Sequence, residues 1–335
     1  MTNPEDTSES VLAARSGAVA FRLPDPGLLA VLGEDRVRFL NGMITQDVKA
    51  LAEGAGKYAL LCNAKGKVLA DLYVWAAKDF LRIECEAGLL EKIRSTLDHY
   101  IIADDVTLED RTGEAAILHV GGRESASVLK KAGLALPEEP LRRLPARLGE
   151  VSVLLARCDR TGLPGYDLWC EPAAAGAALK ALEAAGARAA ARGAFDLLRL
   201  ESGIPRYGVD FGEDNLPQEA NLKHAFSTTK GCYTGQEVIC KIESFAHVSR
   251  HLVGFEIEGP LPPPGARIFS QAAAIGSLTQ AGPSPTLGKL LALGYVRHKA
   301  LEDGTDLSAL DVRWEGGAAR ARKVGLPFVP AAGSG

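Results

Sequence analysis

The sequence predicts a mixed α+β fold that ends in a small all-β unit, and three observations carry that reading. From Val19 to about residue 245, short strand-like runs alternate with helical stretches. The composition then shifts. Residues 248–328 hold Pro262-Pro263-Pro264-Gly265, many single glycines and β-rich runs such as Leu252 to Ile257 and Leu291 to Val296, the pattern of a barrel or sandwich. At 335 residues the chain is also long for one core, so two or three domains are expected, with the last boundary near Phe245 to Arg250.

The elements follow in order. Residues 1–17 are acidic and polar and read as a disordered leader. Gly33 to Gly42 reads as a short helix with acids at its start. Tyr58 to Cys62 and Val68 to Trp75 are strand-like, and Asn63-Ala64-Lys65-Gly66-Lys67 between them supplies turn chemistry, so a β-hairpin is predicted. Phe80 to Cys85 is a third strand, followed by a helix over Leu89 to Tyr100 with Leu89, Leu90, Ile93 and Leu97 on one face. Ala115 to Val120 is a strand that turns through Gly121-Gly122 into a helix near Ser125. Neither G-x-G-x-x-G nor G-K-[ST] is present, so the glycine pair reads as a tight turn. Pro137 to Pro145 is charged and proline-rich and reads as a surface connection. Val151 to Arg157 and Tyr166 to Cys170 are strands around the turn Asp159-Arg160-Thr161-Gly162. An alanine-rich helix is expected over 173–191, and another from Phe195 to Glu201, stopped by Gly203 and Pro205. The tail after Pro330 is expected to lack order.

Composition narrows the function classes. Hydrophobic content of 47% with 24% charge is ordinary for globular chains. A formal net charge of −4 offers no attraction to nucleic acid or an anionic membrane, so both are disfavoured as partners. No apolar run approaches ~18 residues, which argues against a transmembrane helix. The opening MTNPEDTSES is the opposite of a signal or transit peptide, so a cytoplasmic location is expected. Six cysteines are too sparse for a disulfide framework and imply a reducing compartment. Cys62, Cys85 and Cys170 read as small core residues. Cys232 and Cys240 lie two helical turns apart, poor geometry for sharing a metal, so no stably bound metal is expected. His247 and His251 are spaced to share a helix face, but no carboxylate pair stands near them.

The densest chemistry lies in Lys230-Gly231-Cys232-Tyr233-Thr234-Gly235-Gln236-Glu237. Thr234 and Glu237 have capping-box spacing, which predicts a helix from about Gly235 through Ile242. Cys232 would then sit near a helix N-terminus with the Lys230 cation beside it, and both favour a thiolate. An ordinary loop-to-helix junction explains the same residues. His224 is close enough in sequence to approach Cys232.

With its neighbours, this octapeptide resembles the signature of the folate-binding YgfZ family, relatives of the aminomethyltransferase (T-protein) of the glycine cleavage system. The other landmarks are Phe39-Leu40-Asn41-Gly42 with Thr45-Gln46-Asp47-Val48, Gly66-Lys67-Val68-Leu69-Ala70-Asp71, Leu198-Arg199-Leu200-Glu201-Ser202-Gly203-Ile204-Pro205 and Pro217-Gln218-Glu219-Ala220-Asn221-Leu222. They cover about residues 20–328. The resemblance implies a three-part clover-leaf: two interleaved α+β lobes over 18–245, which bind folate, and a β-barrel over 246–330. It implies tetrahydrofolate, or a one-carbon derivative, in the central opening. It also implies a role in assembling or maintaining Fe–S client enzymes, including radical-SAM enzymes that modify tRNA, with Cys232 as the reactive group.

Carried over residue by residue, the resemblance names Cys232, Lys230 and Asp71 as the chemical groups. Asp71, Glu201, Arg199, Tyr207, Tyr233 and Gln236 are its folate contacts. Asp71 stands where T-proteins often have two adjacent acids, and Glu201 where their glutamate pairs with the pterin. T-proteins have an acid where this chain has Cys232. Two further readings remain open: a folate-dependent aminomethyltransferase or one-carbon transferase, and a non-catalytic docking scaffold.

Overall fold

The computed structural model describes the backbone of residues 4–245 and 247–330. The expected loose tail after Pro330 falls on residues 331–335, outside the described residues. The described residues open on helix α1 (Pro4–Ser16), which corrects, from Pro4 on, the reading of residues 1–17 as a disordered leader; residues 1–3 lie outside the described residues. Ser10, Val11 and Ala14 are fully buried, and Val11 and Ala14 pack with Phe21, Leu163, Phe195 and Leu198. Arg188 spans Asp6 and Glu9, and Arg15 reaches Glu201, 186 positions away. Polar composition concealed a helix whose order comes from distant partners.

Strand β1 (Val19–Arg22) starts one sheet, but the chain crosses at once to another with β2 (Pro26–Leu32). There follow α2 (Arg36–Met43), β3 (Gly56–Cys62), β4 (Val68–Ala76), β5 (Leu81–Glu86), α3 (Leu90–His99) and β6 (Thr107–Asp110). This first lobe has the order β3-β4-β5-β2-β6. Its core joins Phe39, Leu40 and Met43 of α2 and Ile93 and Leu97 of α3 to Leu29, Leu72, Val74 and Ile83. The hairpin forms where the turn chemistry places it. The Asn63 Oδ1 accepts from the N–H groups of Lys65 and Lys67, and Gly66 takes φ +71°.

The chain then returns to the first-named sheet through β7 (Ala116–Gly121), α4 (Ser125–Lys131), β8 (Arg143–Leu148), β9 (Val151–Arg157), β10 (Gly165–Cys170), α5 (Ala175–Ala184) and β11 (Arg188–Ala189). The order of this second lobe is β11-β1-β7-β10-β9-β8. Two expectations change here. The connection over Pro137 to Pro145 becomes strand at Arg143, whose guanidinium lies 3.9 Å and 3.8 Å from the rings of Trp75 and Trp169. This cation–π sandwich joins the two lobes. The alanine-rich helix ends at Ala184, because Gly186 at φ +109° turns the chain into β11.

Helices α6 (Arg192–Glu201) and α7 (Gln236–Phe245) lead to the last unit. It comprises β12 (Arg250–Glu258), β13 (Arg267–Ser270), β14 (Ala273–Ser284), β15 (Lys289–Arg297), α8 (His298–Glu302), β16 (Leu310–Trp314) and β17 (Gly317–Val324). The strands close as a barrel in the order β12-β15-β14-β13-β16-β17, with β17 returning to β12, so the sheet has no free edge. Phe255, Ile257, Ile268, Leu310 and Val312 fill its core. Leu200 of α6 packs with Leu252, Leu291 and Leu293 on the barrel wall. Among the described residues, no helix is long and apolar enough to cross a membrane.

Candidate functional site

A cavity of about 670 Å³ opens between the two lobes. Strand alternation builds one wall. Ala70, Leu72 and Val74 of β4 enter the first lobe's core, so Asp71 and Tyr73 face the opposite way, into the cavity. Tyr58 from the neighbouring β3 completes that wall, and Phe195 and Arg199 of α6 stand in another. Tyr58 donates its hydroxyl to Asp71 Oδ2 at 2.9 Å. Its ring lies 5.1 Å from Tyr73 and stacks on His224 at 5.6 Å.

Burial raises the Asp71 carboxyl above its ordinary value, against the opposing pull of the Tyr58 bond and the Arg199 charge. Burial likewise lowers His224, favouring its neutral ring. Arg199 donates from Nη2 to the Pro205 carbonyl at 2.5 Å, and among the described residues its buried Nε has no partner. The result is a buried carboxyl, biased toward its protonated form, among aromatic faces.

A second polar group escaped the sequence reading. Arg160 lines the cavity and bridges Glu84 of the first lobe and Asp167 of the second, and Asp167 pairs with His119. Burial opposes the Asp167 carboxylate, but the Arg160 charge and the His119 bond outweigh it and hold the group below its ordinary value. These residues come from different lobes and strands, so no local spacing announces them.

Of the predicted site residues, the structure brings Asp71 and Arg199 to the cavity. It places the others elsewhere. Glu201 is fully buried, its carboxylate taken by Arg15, Ser284 and Thr286, so it is not a cavity contact. Tyr207 donates its hydroxyl to the Leu69 carbonyl at 2.5 Å and is absent from the lining. Tyr233 is buried, donates to the Ser227 carbonyl at 3.2 Å and packs with Leu60, Phe211 and Ile239. Gln236 accepts from the Tyr233 N–H and donates to the Lys230 carbonyl, both at 3.3 Å.

The octapeptide differs from expectation in the same way. Lys230 does not aim its cation at the thiol: Nζ donates to the carbonyls of Asn41, Ile44 and Gln46 at 2.6, 2.8 and 2.7 Å. Burial lowers it to about 8. The Thr234–Glu237 capping box is replaced by a contact one residue earlier, between Tyr233 and Gln236, and the helix starts at Gln236. Cys232 is exposed and outside the cavity lining. His224 faces Tyr58 instead of pairing with that thiol. His247 and His251 share no helix. Both rings contact His298, with His251 Nε2 3.1 Å from His298 Nδ1.

Known proteins with the same architecture can now be set beside this geometry. The GCVT N-terminal domain matches residues 4–230, and the glycine cleavage T-protein C-terminal barrel domain matches residues 250–330. The chain is similar to an aminomethyltransferase of Shouchella clausii, 31% identical over 331 residues, covering 94% of this chain and 88% of that protein. An aminomethyltransferase of Thermus thermophilus is 31% identical over 329 residues, covering 96% and 90%. The crystal structure of glycine cleavage system aminomethyltransferase T from Bartonella henselae has the same fold, with a TM-score of 0.84 at 23% identity, covering 98% of this chain and 91% of that one.

Proposed function

From the premise that this chain belongs to the glycine cleavage T-protein family, we propose that it binds tetrahydrofolate between its lobes and uses Asp71 in handling a one-carbon unit. The residues present fit that ligand. A cavity of about 670 Å³ is the size that encloses such a molecule. Tyr58, Tyr73, Phe195 and His224 give flat faces for a pterin and an aminobenzoyl ring, and Arg199 stands in the same lining. Tetrahydrofolate supplies the nitrogen that carries the one-carbon group. The protein's part is to exclude water, orient the ring and hold or move a proton at the Asp71 carboxyl, with Tyr58 fixing its rotamer.

The Asp71–Tyr58 pair is the observation that supports this reading most directly. Asp71→Asn is expected to lower aminomethyl transfer from a lipoyl carrier protein to tetrahydrofolate by about 100-fold or more. The same variant should gain stability at neutral pH. Because the folded-state carboxyl is raised, the native protein loses stability as pH climbs from 3.8 through the folded value, and asparagine removes that loss. Turnover and urea unfolding of one preparation measure both. Full turnover by Asp71→Asn would reject the assignment.

A second reading is favoured by one observation: Cys232 is solvent-exposed on a loop that Lys230 anchors. In this reading the protein is a cytoplasmic accessory factor of the YgfZ type, presenting the thiol to Fe–S client enzymes such as radical-SAM enzymes that modify tRNA. Cys232→Ser is then expected to abolish rescue of a Fe–S enzyme's activity in a strain lacking the factor. Its unfolding free energy should stay within about 0.5 kcal/mol of native, since the side chain is exposed. Undiminished rescue would sink this reading and leave the transferase.

A further inference from the structure

Arg160 sits in the turn between β9 and β10, and its guanidinium crosses the cavity floor from one lobe to the other. Nε donates to Asp167 Oδ2 at 2.7 Å, and Nη2 donates to Glu84 Oε1 at 2.5 Å. The group lies over the Tyr73 ring at 4.6 Å. Both carboxylates are buried and are themselves held from behind. Glu84 Oε2 accepts from Trp75 Nε1 at 2.9 Å, and Asp167 Oδ1 lies 2.8 Å from His119 Nδ1.

His119 has space only because two glycines flank it. A Cβ at Gly165 would stand 2.6 Å from His119 Cε1, and one at Gly121 would stand 2.9 Å from Nε2. Two lobes, two carboxylates, a tryptophan, a tyrosine and a histidine therefore fix one arginine side chain. A latch between lobes needs only the two bonded nitrogens. Among the described residues the remaining terminal nitrogen, Nη1, has no hydrogen-bond partner, and the residue lines the cavity. A rigid, mostly desolvated guanidinium with one free edge is a strong, directional donor to oxygen.

We infer that Arg160 is a ligand-binding residue of this cavity, donating from Nη1 to a carbonyl or carboxylate oxygen of the bound folate, and that His119 is a positioning residue acting through Asp167. The inference rests on the tetrahydrofolate reading above. Two parts of that ligand offer such an oxygen: the pterin carbonyl, and the aminobenzoyl-glutamyl tail with its amide carbonyl and carboxylates.

Calorimetric titration of the full chain separates them. Native protein, Arg160→Lys and Arg160→Gln are each titrated with tetrahydrofolate and with a tetrahydropterin lacking the tail. Losing a hydrogen bond from a charged donor should weaken tetrahydrofolate about 10- to 100-fold in both variants, with lysine failing because it lacks the planar fork. Weakening of tetrahydrofolate alone assigns the contact to the tail; equal weakening of both ligands assigns it to the pterin. His119→Phe should weaken binding in the same direction, whereas His119→Gln, which keeps a donor for Asp167, should restore most of it. Circular dichroism checks that each variant is folded. Folded Arg160 variants that bind within twofold of native would overturn the inference while the folate reading stands. Equal affinity in His119→Phe removes the positioning role. A native protein that binds neither ligand defeats the folate reading, and this inference with it.

Discussion

Glu201→Gln is expected to lower the free energy of unfolding by about 3 kcal/mol and to leave tetrahydrofolate affinity nearly unchanged. The carboxylate is fully buried, and five donors converge on it. Oε1 accepts from the Ser284 hydroxyl at 2.6 Å and the Thr286 N–H at 3.2 Å. Oε2 accepts from Arg15 Nη2 at 2.6 Å, Arg15 Nε at 3.1 Å and the Thr286 hydroxyl at 2.8 Å. A glutamine amide turns one end of this acceptor into a donor and strands the Arg15 charge, whose side chain is only 13% exposed. Because Arg15 lies on α1, Glu201 on α6 and Ser284 at the end of β14, the loss should loosen the N-terminal helix and the barrel together. Guanidinium unfolding gives the stability change, and folate titration of the same sample gives the affinity. The double variant Arg15→Met, Glu201→Leu should recover part of the loss, because no buried charge is then left alone. Unchanged stability with a tenfold loss of affinity would return Glu201 to the ligand.

That contrast shows which features could be read from the chain. The hairpin over Tyr58 to Trp75, the helix after Leu89 and the β-rich last unit are specified by neighbours within a few residues, through turn chemistry and periodicity. Helix α1, the role of Glu201 and the Glu84–Arg160–Asp167–His119 network depend on contacts between distant segments, and a turn such as Asp159-Arg160-Thr161-Gly162 looks the same with or without them. The octapeptide shows a subtler failure. Its lysine and Gly235 marked something real, but the reason is close backbone approach. Gly235 takes φ +83°, and a Cβ there would stand 2.5 Å from the Asn63 carbonyl oxygen. Thr234 donates its N–H to the Gly42 carbonyl. The segment is wedged between the hairpin turn and the end of α2, and it leaves Cys232 and Glu237 outside.

Lys230 is what holds that wedge, so Lys230→Met is expected to cost about 3 kcal/mol. Methionine fills much of the space of the stem but offers no donor to the three carbonyls, two of which, Asn41 and Ile44, belong to the last turn and C-cap of α2. Helix ends leave such carbonyls unpaired and favour a cation beside them. The sign of the pH dependence separates this loss from a generic packing defect. Burial lowers the folded-state ammonium to about 8, from the ordinary 10.5. Between those values the unfolded chain binds more protons than the folded one, so the native protein gains stability as pH rises through that window. The methionine variant lacks this gain, and the gap between the two proteins should widen from pH 7 to pH 10 in urea titrations. A gap that stays constant would mean that the bonds to the three carbonyls offset the burial and leave the ammonium's pKa unshifted.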